Sequence, residues 1–279
     1  MKNNKNRCTE FLKWALPQLG LRWEGYRRVK RQVCKRINAR LENLQIRSYD
    51  SYKEYLATHP GEWDILDDMM HISISSFFRD DKSWEFLGDK LLPLLAANAI
   101  DENRPLRCWS AGCASGEEPY SLAILYHQKL LQSFPNLDLQ LIATDANRDL
   151  LSRAAKACYP AGNVKNVPEK WLQESFVKKN SEYSLKNHIR DIVVFQKQDI
   201  RKEMPEGQFD LVFCKNLVGM YFASEKAIDV FNHIAKRILP GGYLLTGNHE
   251  PVPVDNISGI QIYNRGLNIF QVLAKNQNL

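Results

Sequence analysis

Long apolar runs are scarce in this 279-residue chain. The longest nearly apolar stretch, residues 91–100, is about half of the ~20 residues that a membrane-spanning helix needs, so no membrane insertion is expected. Paired cysteines are lacking as well. Cys8, Cys34, Cys108, Cys113, Cys158 and Cys214 are scattered and form no CxxC pair, which predicts reduced thiols, mostly in the core, and neither disulfides nor a zinc site. The N-terminal MKNNKNRCTEFLKWALPQLG is basic but has no sustained apolar core and no small-residue cleavage site. It does not read as a secretory signal, and a cytoplasmic location is expected. Internal repeats and low-complexity tracts are missing too. With 44% hydrophobic and 25% charged residues, collagen, coiled coil and wholesale disorder are excluded.

What is present divides the chain in two. Residues 1–60 carry 14 Lys+Arg against 5 Asp+Glu, a net of +9, while the remainder carries 24 against 27, a net of −3. A basic front on a near-neutral body suits an acidic partner, whether nucleic acid, a membrane surface or an acidic protein, or is simply a solvated helix face. From about Gly25 to Leu44, apolar residues recur at Tyr26, Val29, Val33, Ile37, Leu41 and Leu44. That spacing predicts an amphipathic helix whose other face carries Arg27, Arg28, Lys30, Arg31, Lys35, Arg36 and Arg40. Shorter helical patterns at SYDSYKEYLATH and EWDILDDMMH complete a small helical domain over 1–75. A connecting segment and helix, 76–104, follows, and Pro93 is expected to kink or divide that helix.

From residue 105 to 279 the pattern changes to short apolar strands alternating with helices. LRCWSA, LDLQLIATD, IVVFQKQD, FDLVFCKN, GYLLTGN and LNIFQVLA are the strand candidates. Their alternation predicts an α/β fold with a mostly parallel sheet, helices on both faces and an antiparallel edge at the end. The polar stretch 159–191 interrupts the rhythm and reads as a small insertion.

In such a sheet, ligands bind at the carboxyl ends of the strands. The first strand runs into Ser110-Ala111-Gly112-Cys113-Ala114-Ser115-Gly116-Glu117-Glu118. Two glycines allow a close backbone approach, and the following helix presents free N–H groups. There is no Walker lysine and no full GxGxxG, and two acids at the helix start disfavour a pyrophosphate. Asp145 ends the second strand, Gln198-Asp199 the third and Cys214-Lys215-Asn216 the fourth. Each could be a helix N-cap, but several at corresponding positions favour a site.

Phe77-Phe78-Arg79-Asp80, the run WSAGCASGEEPYS, Ala143-Thr144-Asp145, FDLVFCKN with Tyr221-Phe222, Pro240-Gly241-Gly242 and Glu250 resemble one family. This is the CheR family of S-adenosylmethionine-dependent chemotaxis receptor methyltransferases, which methylate receptor glutamates. VCKRINARL is similar to the family's basic helix, so the resemblance spans nearly the whole chain. It implies a Rossmann-like class I methyltransferase sheet with a helical N-terminal domain and a small β insertion.

The resemblance also implies roles. Ala111, Gly112 and Glu117 would contact the methionine part of S-adenosylmethionine, with the Glu117 carboxylate beside its cationic groups. Asp145 would bind the ribose, Asp199 and Ile200 together with Asn216 and Leu217 would flank the adenine, and Arg79 and Tyr221 would face the methyl group and the incoming carboxylate. No metal is implied. The expected partner is an acidic helix of a receptor or other protein substrate, with no nucleic acid. Four departures stand out: Lys215 where the family usually has Arg, Gly219 as an added residue before Tyr221, Asp199 in place of Asn, and Ser75 in place of Thr. The insertion is also short around KKNSEYS. Two other readings fit parts of the sequence: an RNA methyltransferase, from the +9 front, and a cofactor-binding regulator without catalysis, from Gly219. Against the first, no NPPY-like tetrapeptide or cysteine pair is present.

Overall fold

The structure, a computed structural model, describes residues 2–72 and 75–274. The ends of the expected spans at Met1, 73–74 and 275–279 lie outside the described residues. Among those described, the chain up to Ile72 together with Leu217–Ala227 makes one compact unit, and the remainder makes the other. The first unit thus takes in a short segment that the linear reading assigned to the sheet domain.

The first unit is helical, with helices at Lys2–Gln18, Trp23–Tyr26, Lys30–Asn43, Tyr49–Thr58 and Glu62–Met70. The expected helix over 25–44 is present but divided at 27–29. Val33, Ile37 and Leu41, spaced four apart, are buried, as are Phe11, Leu12 and Leu16 on the first helix. The basic face is less uniform than its spacing suggested. Arg27, Arg28, Lys30, Arg31 and Lys35 are exposed. Arg36 instead donates to the carbonyls of Met69 (2.9 Å) and His71 (2.6 Å). Arg40 grips the buried Glu62 through Nε (2.9 Å) and Nη2 (2.7 Å), and Tyr52 Oη donates to the same carboxylate at 2.7 Å. Burial works against ionisation of Glu62, but the Arg40 hydrogen bonds dominate and hold its pKa below the usual value.

One expectation is overturned here. Cys8 and Cys34 form a disulfide, with S–S 1.99 Å and Cα–Cα 6.1 Å. The bond links the helices Lys2–Gln18 and Lys30–Asn43, and a separation of 26 residues carries no local pairing signal. Cys108, Cys113, Cys158 and Cys214 form no disulfide, and all but Cys158 are buried.

The second unit is built on ten strands: β1 Leu106–Ala111, β2 Leu139–Asp145, β3 Cys158–Pro160, β4 Phe176–Lys179, β5 Glu182–Leu185, β6 Val193–Lys197, β7 Phe209–Cys214, β8 Ile238–Thr246, β9 Ile260–Asn264 and β10 Ile269–Val272. Seven of them form a sheet in the order β6-β2-β1-β7-β8-β10-β9. Its first five strands are parallel, and β10 pairs antiparallel with both β8 and β9. Every residue of β7 is buried, as a strand covered on both faces requires. Strands β3, β5 and β4 form a separate antiparallel sheet that gives the insertion its own β structure.

No break occurs at Pro93, where the sequence predicts a kink or division. The connecting helix runs Asp81–Phe86, widens into a π turn at Leu87–Leu91 and resumes as Leu92–Asp101. A proline that cannot donate its i→i−4 bond is accommodated by this local widening. Among the described residues, no helix is long and apolar enough to cross a membrane.

Candidate active site

The chain order reverses between β1 and β7, and the polar residues singled out from the sequence lie at the carboxyl ends of β1, β2, β6 and β7. After Ala111 the backbone turns tightly. Gly112 N–H and Cys113 N–H both donate to the Thr144 carbonyl, at 2.8 and 3.0 Å. Gly116 has φ +91°, and a Cβ there would lie 3.0 Å from Ala154 Cβ and 3.1 Å from Tyr159 Oη. Only glycine meets both conditions, so the turn closes onto the helix Glu117–Leu125.

Glu117 opens that helix with 1% of its surface exposed. Ser115 Oγ donates to both of its carboxylate oxygens at 3.0 Å, and Asn163 Nδ2 donates to Oε1 at 2.6 Å. Asn163 belongs to the insertion, and its carbonyl accepts Phe77 N–H at 3.0 Å. The insertion therefore braces the first turn of the site, a role its polar composition did not reveal. The adjacent Glu118 accepts Ser110 Oγ at 2.8 Å. Burial pushes the Glu118 carboxyl up, while the charge of Lys215 and the Ser110 hydrogen bond pull it back down.

At the end of β2, Asp145 is half-buried and its two oxygens accept Ala114 N–H (2.9 Å) and Asn147 N–H (2.8 Å). At the end of β6, Asp199 is engaged by Arg201. Nε (2.9 Å) and the backbone N–H (3.0 Å) donate to its Oδ1, and Nη2 donates to its Oδ2 at 2.8 Å. Burial opposes the charge on Asp199, but these hydrogen bonds hold its pKa below the usual range. Ile200 is buried beside it. Gln198 Oε1 is buried with no hydrogen-bond partner among the described residues.

Asn216, after β7, adopts φ +57°. Its N–H donates to Glu250 Oε2 at 2.6 Å, and the same oxygen accepts Gly247 N–H at 3.0 Å. Asn268 Nδ2 closes the network on the carbonyls of Gly247 (2.7 Å) and Glu250 (2.9 Å).

The loop at 77–80 is held from several directions. Phe78 N–H donates to Ser121 Oγ at 2.9 Å, and that hydroxyl donates to the Glu117 carbonyl at 2.6 Å. Trp84 Nε1 donates to the Arg79 carbonyl at 2.9 Å, and Lys215 Nζ pairs with Asp80 Oδ2 at 2.9 Å. The Arg79 side chain is exposed.

Arg79, Ala111, Gly112, Glu117, Asp145, Asp199, Ile200 and Asn216 all belong to the α/β unit. Leu217 and Tyr221 do not, because the chain passes into the helical unit immediately after Asn216. There Tyr221 ends the short helix Val218–Tyr221 with its ring 5.0 Å from that of Tyr26. Arg22 Nε donates to the Met220 carbonyl at 3.1 Å and Nη2 to that of Gly219, so Gly219 sits in a capped turn. Asn163 and Ser121 escaped the sequence reading as site residues, whereas Gln198 was singled out there by its place at the end of a strand. Among the described residues, no group of three or more His, Cys, Asp and Glu could hold a metal.

The sheet order, its antiparallel β10 and the polar crevice at the switch point define a Rossmann-like class I methyltransferase. The SAM-binding domain of the CheR methyltransferases matches residues 73–264, and the chain belongs to that family, with S-adenosylmethionine as its cofactor. It is 29% identical to the chemotaxis protein methyltransferase of Borreliella burgdorferi over 77% of this chain and 80% of that one. It is 31% identical to chemotaxis protein methyltransferase 1 of Pseudomonas aeruginosa over 78% of this chain and 81% of the relative. Among solved structures, an S-adenosylmethionine-dependent methyltransferase from Clostridium acetobutylicum is similar at 17% identity and a TM-score of 0.33, over 60% of this chain and 50% of that one.

Proposed function

We propose that this methyltransferase transfers the methyl group to glutamate side chains of a chemotaxis receptor in the cytoplasm, presented on an acidic helix. The observation that supports it is the arrangement around Arg79: a guanidinium on a braced loop, in the same unit as the strand-end residues of the cofactor crevice. The residues present suit the cofactor. Buried Gln198 Oε1 is an acceptor in need of a donor, which an adenine amino group supplies. Asp145 offers carboxylate lone pairs to ribose hydroxyls. Glu117, fixed by Ser115 and Asn163, sets a carboxylate at the first turn, where Ala111 and Gly112 let the methionine part approach. Asp199 is spoken for by Arg201, so Ile200 with Asn216 and Leu217 is assigned the adenine faces.

When bound, S-adenosylmethionine would supply an electrophilic sulfonium methyl for in-line transfer to a carboxylate oxygen, the C–S electron pair staying on sulfur. An unperturbed glutamate pKa of about 4.3 leaves the nucleophile ionised at neutral pH, so no general base is required. The chain's task is alignment and exclusion of water, which can contribute roughly 7–11 kcal/mol. Arg79 is assigned the substrate carboxylate, because its planar fork fits a carboxylate in two-point geometry. Tyr221 is assigned the methyl group.

The test uses radiolabelled S-adenosylmethionine with a purified chemoreceptor cytoplasmic fragment, and separately with RNA. Base-labile label in the receptor at glutamates is expected; label in RNA alone would sink the proposal. In calorimetry, Asp145→Ala is expected to weaken binding of the demethylated cofactor by about 1.5–3 kcal/mol.

A further inference from the structure

We infer that Lys215 is a positioning residue that sets Arg79 by clamping the loop 77–80 to the end of β7. The inference rests on the assignment of Arg79 to the substrate carboxylate. Both neighbours of Arg79 have left-handed backbones, Phe78 at φ +48° and Asp80 at φ +64°. Non-glycine residues avoid that region, so it persists only where the surroundings impose it. Phe78 is held by Ser121, and the Arg79 carbonyl by Trp84. Lys215 supplies the tie on the far side: its Nζ reaches Asp80 Oδ2 at 2.9 Å and the Arg79 carbonyl at 3.4 Å, and it lies 6.0 Å from the Trp84 ring centroid.

Only 6% of the Lys215 side chain is exposed, against 25% for Asp80, so the ion pair is shielded from competing water. Removing one partner from such a pair leaves a poorly solvated charge and frees the loop. An ammonium is a compact point charge with three donors, which lets Lys215 serve the Asp80 carboxylate and the Arg79 carbonyl together. Because Asn216 follows directly, the same strand end carries a residue of the cofactor crevice and the anchor of the substrate-side loop.

Methyl transfer to the chemoreceptor fragment tests this. Lys215→Met keeps the methylene stem beside Trp84 and is expected to lower kcat/KM by about 30- to 100-fold, the scale of an ångström-level misplacement. Affinity for the demethylated cofactor is expected to stay within about threefold, and Lys215→Arg to rescue most of the loss, since it restores charge and donors. Asp80→Asn is expected to reproduce the defect, and the double variant to be no worse than the more impaired single one. The single Asp80→Asn variant also carries the test if Lys215→Met fails to fold. Arg79→Ala, impaired alone, is expected to cost little more in the Lys215→Met background. Wild-type turnover in Lys215→Met, a tenfold loss of cofactor affinity, or a full additional loss from Arg79→Ala would each overturn the inference. If Arg79→Ala is itself fully active, the assignment of Arg79 fails; if only Lys215→Met is silent, that assignment stands and this inference alone falls.

Discussion

Two short segments carry the residues assigned to the substrate side, and they are held in different ways. The loop 77–80, with Arg79, is fixed within the α/β unit by side chains: an indole, a serine hydroxyl and a lysine–aspartate pair. The segment 217–227, with Tyr221, is held within the helical unit by backbone pairing together with the Arg22 guanidinium, which donates to the Met220 and Gly219 carbonyls. Arg22 N–H donates to the Tyr221 carbonyl at 2.8 Å, Ala223 N–H donates to the Gly20 carbonyl at 2.8 Å, and Leu21 and Phe222 form an isolated antiparallel bridge. Side-chain anchoring makes the first loop sensitive to single substitutions in its partners. The second segment, held by backbone bonds and by the Arg22 guanidinium, depends on the integrity of the helical unit.

The largest expected effect probes that dependence. Replacing Cys8 and Cys34 by serine opens a 26-residue loop and should cost about 3–4 kcal/mol in thermal unfolding of the helical unit. Amide exchange at 217–227 should rise while exchange at 77–80 stays unchanged. Equal loosening of both would erase the distinction. Next comes Arg79→Ala, expected to lower methyl transfer about 100-fold with cofactor affinity within about threefold; Arg79→Lys should also be impaired, because charge without the fork does not align a carboxylate. Full turnover in either variant would remove Arg79 from the substrate side.

Gly25→Ala is a smaller perturbation aimed at the second segment alone. An added Cβ would stand 2.2 Å from the Met220 carbonyl oxygen and 3.0 Å from the Tyr221 ring, so the segment must move. A destabilisation of about 1–3 kcal/mol is expected by chemical denaturation, with exchange rising at 217–227. The smallest effect tests the helical core away from either segment. Glu62→Gln should cost about 1–2 kcal/mol at pH 7, since it loses the charge that Arg40 and Tyr52 address. The folded pKa of Glu62 is depressed, so its contribution is present above the unfolded value of about 4.3 and is lost as pH falls through the folded value. The gap between wild type and Glu62→Gln should therefore close below about pH 4, and a gap independent of pH would show that charge is not its source.

Local pattern foretold much of this molecule. The short apolar runs in LRCWSA, LDLQLIATD and FDLVFCKN became β1, β2 and β7, and β7, covered on both faces, is buried at every residue. Val33, Ile37 and Leu41 marked a buried helix face through their fourfold spacing. Other features had no local signature. Nothing in the spacing of Cys8 and Cys34 distinguishes a disulfide from two core thiols. Arg36 and Arg40 look like the exposed basic residues beside them, yet Glu62 and two carbonyls draw them inward. Asn163 reads as part of a polar insertion until it is found on Glu117.

Read alone, the amino-acid sequence indicated an α/β sheet, a basic helical front and polar residues at the strand ends. Those follow from periodicity and turn chemistry, which act over a few residues. The folded chain decided the rest: that Tyr221 travels with the helical unit, that Arg201 occupies Asp199, and that Lys215 ties Asp80 to β7. Each is a pairing of groups, and partner choice depends on which surfaces packing brings within about 3 Å, where hydrogen bonds and shielded ion pairs act.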